Sequence, residues 1–572
     1  MGKVKRLKNI FEKFNIDGYL IPKNDEYFCE YVSDFNNRLK FISSFSGSFG
    51  IAVVLKKNNY LFVDGRYTTQ ANQESGRYFK IKTLPNQKPN DLFNSKNLKI
   101  GYDPKLFTFN SLNNLFKGTK CKLFPIQDNL IDYIWRRKKS SYVKKFYTLP
   151  NNSVGKKFTQ KLNKVILEIK KRKADYLFIT SSENNAWFLN LRGQDTKYTP
   201  LPFGYMLVSA SKELKFFCNL KKISNPLKSK FKNVNFIDIK YIEENLKNLI
   251  NKKIIIDDKT CSIYFQKIIL KKNFILKFED PIYLLKSIKS KIEIKNIMKS
   301  HIADGVALTK YLFWIKSNFS KIKITEMSGE NKLLKYRKKN KNFKSSSFPT
   351  ISGSGKNGAI IHYKATKKTN RVLKKGDIYL VDSGGQYNFG TTDVTRTISL
   401  GNSNKRIKEI FTRVLKGHIA VTNYSLKKNS TGSLIDTKAR KYLKQINLDY
   451  PHGTGHGVGY FLNVHEGPHA ISKNNKVIFK KGMVVSNEPG YYEKNKFGIR
   501  IENLIFVNQY KNKKFFENFT LVPIDKDLID RSLLNKTEKC WLNRYHNKVF
   551  YKLRKFMGKK DLSKLSLACS AI

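Results

Sequence analysis

Acid is what this sequence is short of: 44 Asp and Glu stand against 110 Lys and Arg in 572 residues, a formal charge of +66 at neutral pH. Cysteine is sparse too, with Cys29, Cys121, Cys218, Cys261, Cys540 and Cys569 scattered, no CxxC and no paired spacing. That argues against a disulfide framework or a thiolate zinc site and points to a reducing, cytoplasmic setting. No run approaches the ~18 uncharged apolar residues of a membrane span. The start, Met1-Gly2-Lys3-Val4-Lys5-Arg6, leads into no apolar h-region, so neither membrane insertion nor secretion is expected. What is there is ample core material, 40% hydrophobic residues with 13% aromatic. The length suggests three domains at roughly 100–200 residues each.

An excess of basic charge invites a nucleic-acid reading. The lysines, however, come in twos and threes along the whole chain, including segments that must be core. The densest patch, Lys332–Lys344, has no aromatic ladder, and no zinc-finger or RNA-recognition signature accompanies it. A solvated basic surface without a dedicated nucleic-acid partner is the expectation.

Hydrophobic patterning divides the chain into 1–150, 151–283 and 284–572. Val4–Phe14 has helical spacing, Ile16–Pro22 reads as a turn and a strand, and Phe49–Leu55 with Tyr60–Val63 reads as a hairpin. A second round begins near Val154 with a helix to about Arg172 and the strand Ala174–Thr180. Ile16–Ile21 and Lys173–Phe178 thus look like corresponding segments of an internal repeat. Asp280-Pro281 marks the next boundary, followed by a charged helix, Ser290–Phe319.

The last segment carries its own repeat. Lys374-Lys375-Gly376 and Lys480-Lys481-Gly482 each lead into an apolar strand ending in a carboxylate, Asp382 and Glu488, before a glycine turn. A second strand with a second acid follows each, Asp393 and Glu502. Two hairpins of two acids imply a pseudo-symmetric site with four converging carboxylates. Between them lies Pro451-His452-Gly453-Thr454-Gly455-His456-Gly457-Val458-Gly459, whose glycines let backbone approach something small near His456. Four carboxylates plus an imidazole form a hard ligand set suited to Mn, Co or Zn at two adjacent positions. His301, His418 and His546 read as surface or helix residues, and His469 is set aside.

These motifs resemble the metallopeptidases with the "pita-bread" fold, a family that includes methionine aminopeptidase, prolidase and aminopeptidase P. The residues that carry the resemblance are Ala359–Tyr363, Val381–Gly385, the Asp393 strand, His452–Gly457, Val464–Pro468, Asn487–Gly490 and Gly498–Asn503. It implies an α/β (α+β) chain: two creatinase-like N-terminal domains before a pseudo-symmetric catalytic domain, with a C-terminal extension from about 515 to 572. The length and the N-terminal motifs Phe45–Gly50, Asp64–Tyr67 and Asn184–Trp187 match the long, three-domain aminopeptidase P branch. The resemblance makes Asp382, Asp393, His456, Glu488 and Glu502 the ligands of two divalent metals, most readily Mn²⁺, with Co²⁺ or Zn²⁺ as alternatives. It makes Glu488 a proton acceptor as well, with His362, His452 and His465 on the substrate side and Arg500 beside Glu502. For Arg500 the preferred reading is a bidentate ion pair to a ligand carboxylate, and the second is a substrate contact. The implied reaction removes the residue preceding a penultimate proline, by way of a hydroxide generated between the metals, in a homodimeric enzyme. A prolidase-like dipeptidase and a non-catalytic binding protein of the same fold are the competing readings.

Overall fold

A computed structural model describes residues 2–137 and 143–572. Met1, with which the reading of the N-terminus began, lies outside the described residues. The chain forms two compact units, the first comprising residues up to Pro150 and Lys156–Tyr283, the second Asn151–Gly155 and Leu284–Ile572.

The first unit holds two six-stranded sheets of the same topology. In the first, β1 (Gly18–Pro22), β2 (Ile51–Leu55), β3 (Asn59–Asp64), β4 (Lys80–Leu84), β5 (Lys99–Tyr102) and β6 (Lys122–Pro125) lie in the order β4-β3-β2-β1-β5-β6. In the second, β7 (Tyr176–Ile179), β8 (Tyr205–Ser209), β9 (Leu214–Cys218), β10 (Val234–Asp238), β11 (Lys253–Ile256) and β12 (Phe274–Lys277) repeat it as β10-β9-β8-β7-β11-β12. In each sheet the inner hairpins are antiparallel and the outer pairs parallel. The repeat therefore holds, but its register differs by one residue from the sequence alignment. Gly18 pairs with Ile100 as Tyr176 pairs with Ile254, so Gly18, not Tyr19, corresponds to Tyr176. The reason is the aspartate before each strand: Asp17 accepts from the Lys99 amide (2.9 Å) as Asp175 accepts from that of Lys253 (2.7 Å). The N-terminal helix is also shorter than its spacing suggests. It runs Gly2–Lys8, and a 3₁₀ turn, Glu12–Phe14, ends at Asn15 with φ 49°, which swings the chain into β1.

In the second unit the charged helix is α1 (Lys291–Asn318), capped by Ser290, whose hydroxyl and backbone amide exchange hydrogen bonds with Glu293. Helix α2 (Glu326–Lys338) follows. Leu308, Tyr311, Leu312 and Ile315 of α1 pack with Leu333, Tyr379, Val381, Val394 and Ile398 in one buried cluster. Strands β13 (Ile351–Ser354), β14 (Ile378–Ser383) and β17 (Val394–Ser399) form one antiparallel sheet, with the short strands β15 (Gly385–Tyr387) and β16 (Gly390–Thr391) as a hairpin between β14 and β17. The other half repeats this. Strands β18 (Gly455–Gly457), β19 (Glu466–Ile471), β20 (Val484–Asn487), β23 (Asn503–Tyr510) and β24 (Lys513–Asn518) form its sheet, and the hairpin β21 (Gly490–Glu493) and β22 (Phe497–Arg500) separates β20 from β23. Gly376 and Gly482 open the two halves at φ +90° and +89°, a backbone that disfavours a side chain.

Candidate active site

The repeat puts three of its four acids at breaks between strands, while Asp382 stays within a paired strand. Asp382 lies near the end of β14 and Glu488 just past β20, while Asp393 and Glu502 occupy the gaps between a short hairpin and the following long strand. Asp382, Asp393 and Glu502 are all less than a tenth exposed. Ligand atoms of Asp393, His456 and Glu502 lie within 4.8 Å of one another. His456 Nε2 is 3.5 Å from Asp393 Oδ2 and 3.4 Å from Glu488 Oε1. Asp382 joins through Arg500, whose Nη2 donates to its Oδ2 at 2.6 Å.

The electrostatics call for cations. Burial, and then the neighbouring carboxylates, push Glu502 well above the carboxylate range. Asp393 is raised to about 6, with burial the largest cause and Asp382 and Glu488 adding to it against His456. Burial also raises Glu488. His456 Nδ1 faces the Gly457 carbonyl at 3.0 Å and must donate to it, which turns the Nε2 lone pair toward two carboxylates. That arrangement is repulsive unless a positive charge fills it. Burial works against protonation, yet Asp393 and Glu488 together raise the imidazole to about 9. Asp382 Oδ1 is buried without a hydrogen-bond partner among the described residues. An imidazole drawn into the charged form by two carboxylates, an unbonded carboxylate oxygen and mutually repelling acids all mark a deficit of positive charge, which a pair of divalent cations fits.

Of the remaining expected residues, His465 touches this cluster, His452 connects to it through Tyr492 and Arg500, and His362 is placed by its own turn. The His465 ring sits edge-on to His456, centroids 4.3 Å apart. His452 Nε2 is 2.9 Å from the hydroxyl of Tyr492, and its Nδ1 donates to Gly453 O at 2.8 Å. His362 is half-buried in the turn after the 3₁₀ segment Gly355–Ala359, between the buried Ile361 and Tyr363. That turn is anchored by Glu326, which accepts from Ser354 N (2.8 Å), Asn357 Nδ2 (3.0 Å), Tyr363 OH (2.8 Å) and Arg371 N (2.9 Å). Arg500 makes the expected ion pair to a candidate ligand carboxylate, that of Asp382, but not in the expected bidentate form. Only one of its nitrogens reaches Asp382, while Nε donates to Thr395 Oγ1 (3.0 Å) and Nη1 to Tyr492 OH (2.6 Å). The bidentate pair is replaced by a three-way tie, because β22 presents Arg500 between β17 and β21.

His301, His418 and His546 lie on helices, as one half of the expectation had it, but inside the protein and not on its surface. All three are buried and held neutral by desolvation, at about 4, 3 and 3. His469 is buried too, donating through Nε2 to Val484 O at 2.7 Å. Sequence reasoning missed Tyr492, Thr395, Ser486 and Arg396. Thr395 donates to Glu502 Oε2 (2.8 Å) and Ser486 to Glu488 Oε1 (3.0 Å). Arg396 binds the carbonyl of Glu502 (2.7 Å), that of Val522 (2.7 Å) and Tyr545 OH (2.8 Å), tying the C-terminal segment to the strand behind the acids. Thr395 and Ser486 each lie two residues from a motif acid, which is the signal that would have found them.

A model of metallopeptidase family M24 matches residues 295–509, and one of the C-terminal region of that family matches 515–572. Models of the creatinase/prolidase N-terminal domain match 3–132 and 137–293. A probable Xaa-Pro aminopeptidase P from Laccaria bicolor is 38% identical over 587 residues, covering 96% of this chain and 90% of that protein. Xaa-Pro aminopeptidase 1 of Dictyostelium discoideum is 35% identical, covering 98% and 94%. Among solved structures, X-prolyl aminopeptidase from Caenorhabditis elegans, described as a cytosolic enzyme with a di-nuclear active site, matches with a TM-score of 0.94 at 29% identity over 100% and 99% of the two chains. Prolidase from Pyrococcus furiosus matches with 0.50 at 26% identity, covering 62% of this chain and 98% of its own. The chain belongs to metallopeptidase family M24, with creatinase-type N-terminal domains ahead of the catalytic one. Among the described residues no helix is long and apolar enough to cross a membrane.

Proposed function

We propose that this chain is a metal-dependent aminopeptidase that removes the N-terminal residue from peptides with proline in second position. The observation that carries the reading is the cluster of Asp393, Glu488 and Glu502 about His456, with the charge of Asp382 acting on it, in a chain that aligns over nearly its whole length with proteins named Xaa-Pro aminopeptidase. Asp382, Asp393, His456, Glu488 and Glu502 would hold two divalent cations, manganese by preference. Two cations held there would lower the pKa of a water and would polarise a carbonyl. Glu488 accepts the water's proton on a carboxylate oxygen. The scissile bond is a tertiary amide with no N–H, so its nitrogen must gain a proton to leave. His452, His465 and His362 line the substrate side, and an imidazole among them delivers that proton near neutral pH. Arg500 orients Asp382 and, through Tyr492, His452.

In this reading residues 1–150 and 151–283 are two creatinase-like domains, 284–572 is the catalytic domain, and the enzyme is a cytosolic homodimer. The test is hydrolysis of Arg-Pro-Pro, Arg-Ala-Pro and Arg-Pro by chelator-stripped protein with added Mn²⁺, Co²⁺ or Zn²⁺. Release of Arg from Arg-Pro-Pro, dependent on metal and absent with Arg-Ala-Pro, is the expected result. Cleavage of Arg-Pro alone would make it a dipeptidase, and silence from folded protein with every metal would overturn the reading.

A further inference from the structure

A second ion cluster lies behind the imidazoles and takes no part in the chemistry above. The side chains of Lys286, Lys289 and Glu466 are each 1% exposed. Lys289 Nζ hydrogen-bonds Glu466 Oε1, and Lys286 Nζ lies 3.8 Å from Oε2. Two ammonium groups and one carboxylate out of water are costly to desolvate, and apolar side chains of similar volume would avoid that cost.

The position of the cluster accounts for it. Glu466 follows His465, whose ring packs on His456. It also opens β19 opposite Gly457, just past the point where the pairing shifts, so the ladder registers His456 against Ala470 but leaves His465, which precedes the strand, without a ladder partner. The lysine segment reaches the other side of the site through its backbone. Lys289 N donates to Gly482 O at 2.9 Å, and Ile288 bridges to Met483, where the chain enters β20 toward Glu488. A side chain on Gly482 would meet Lys289 O at 2.4 Å. One short segment therefore grips the Glu488 strand with its backbone and the His465 loop with its ammonium groups.

We propose that Lys286 and Lys289 are positioning residues that act through Glu466 to hold His465 against His456. The assignment rests on the reading of His465 as a substrate-side histidine. Lys289 carries most of the effect, since it makes the direct hydrogen bond. Removing Lys286 leaves a one-to-one pair.

The test is a double-mutant cycle on the full-length, metal-loaded protein, with Lys289→Met, His465→Ala and both together, read as kcat/KM on Arg-Pro-Pro beside metal content per chain. Supporting-residue losses around such sites run to about 10–100-fold. Lys289→Met is expected to fall in that range with metal content unchanged, Lys289→Arg to recover most of the activity, and Lys286→Met to lose less than Lys289→Met. In the double variant, Lys289→Met should add less than about 2-fold to the loss from His465→Ala, because residues acting through one group are non-additive. A fully multiplicative loss, or an active Lys289→Met beside an impaired His465→Ala, would overturn the positioning role alone. A fully active His465→Ala would overturn both it and the reading of His465. Should Lys289→Met fail to fold, Glu466→Gln takes its place in the cycle with the same expected outcomes.

Discussion

Arg500 spreads its guanidinium over Asp382, Thr395 and Tyr492, and that division sets what each neighbour contributes. Tyr492 relays the contact to His452, whose Nε2 is 2.9 Å from the tyrosine hydroxyl. The geometry therefore separates two kinds of loss. Asp393→Asn removes a charge from the centre of the cluster and should abolish bound metal and turnover together. His452→Ala leaves the acids and His456 intact and should lower kcat by about 10²-fold or more, in the range of a lost proton-transfer group, with metal content preserved. Parallel assays of turnover and metal by atomic absorption check both, and metal loss in His452→Ala would move that residue into the cluster. The acids and His456 were legible because strands ending in carboxylates and alternating glycines leave local marks in sequence. The three-way tie of Arg500 was not, since it joins positions 382, 395, 492 and 500, whose proximity exists only after folding.

At the scale of elements, the catalytic repeat supplies its own control. Gly376 and Gly482 share a φ near +90°, yet an added Cβ at Gly376 meets nothing within 4 Å, while at Gly482 it meets Lys289 O at 2.4 Å. An L-residue in left-handed backbone costs roughly 1–2 kcal/mol. Gly376→Ala should lose about that much stability in urea unfolding. Gly482→Ala should lose distinctly more, and should also lower turnover by shifting the Glu488 strand. Equal losses would mean that the close approach of Lys289 carries no weight. The same elements show where sequence reading slips. Paired tyrosines, Tyr19 and Tyr176, set a plausible alignment of the N-terminal repeat, but the register follows the aspartates that receive amides from distant strands. Side-chain likeness within one strand says nothing about which backbone donor arrives from 80 residues away. The strand-and-hairpin order of each half, by contrast, was readable from Lys-Lys-Gly, apolar run, acid and glycine turn.

For the whole molecule the charge of +66 and the buried histidines act on stability in the same direction but by separable routes. Self-repulsion among exposed lysines weakens the compact state, grows as carboxylates protonate, and is screened by salt. Buried imidazoles respond differently. His301 donates Nδ1–H to Ile297 O and is held at about 4, and His546 accepts from Ile524 N through Nε2 and is held at about 3. Both values lie below that of an unfolded histidine, about 6.5. Below pH ~6.5 the unfolded chain therefore takes up protons that the folded chain refuses, so stability is lost as pH falls toward 4, and salt does not restore it. For His301 the shift from 6.5 to about 4 corresponds to roughly 3 kcal/mol once the pH is near 4. His301→Gln removes that titration. In 0.5 M NaCl, which suppresses the surface contribution, the wild-type chain should lose about 2–3 kcal/mol more than His301→Gln between pH 7 and 4.5 in urea unfolding. Identical losses would mean that His301 protonates in place, and that the acid limit of the fold is set by its surface charge.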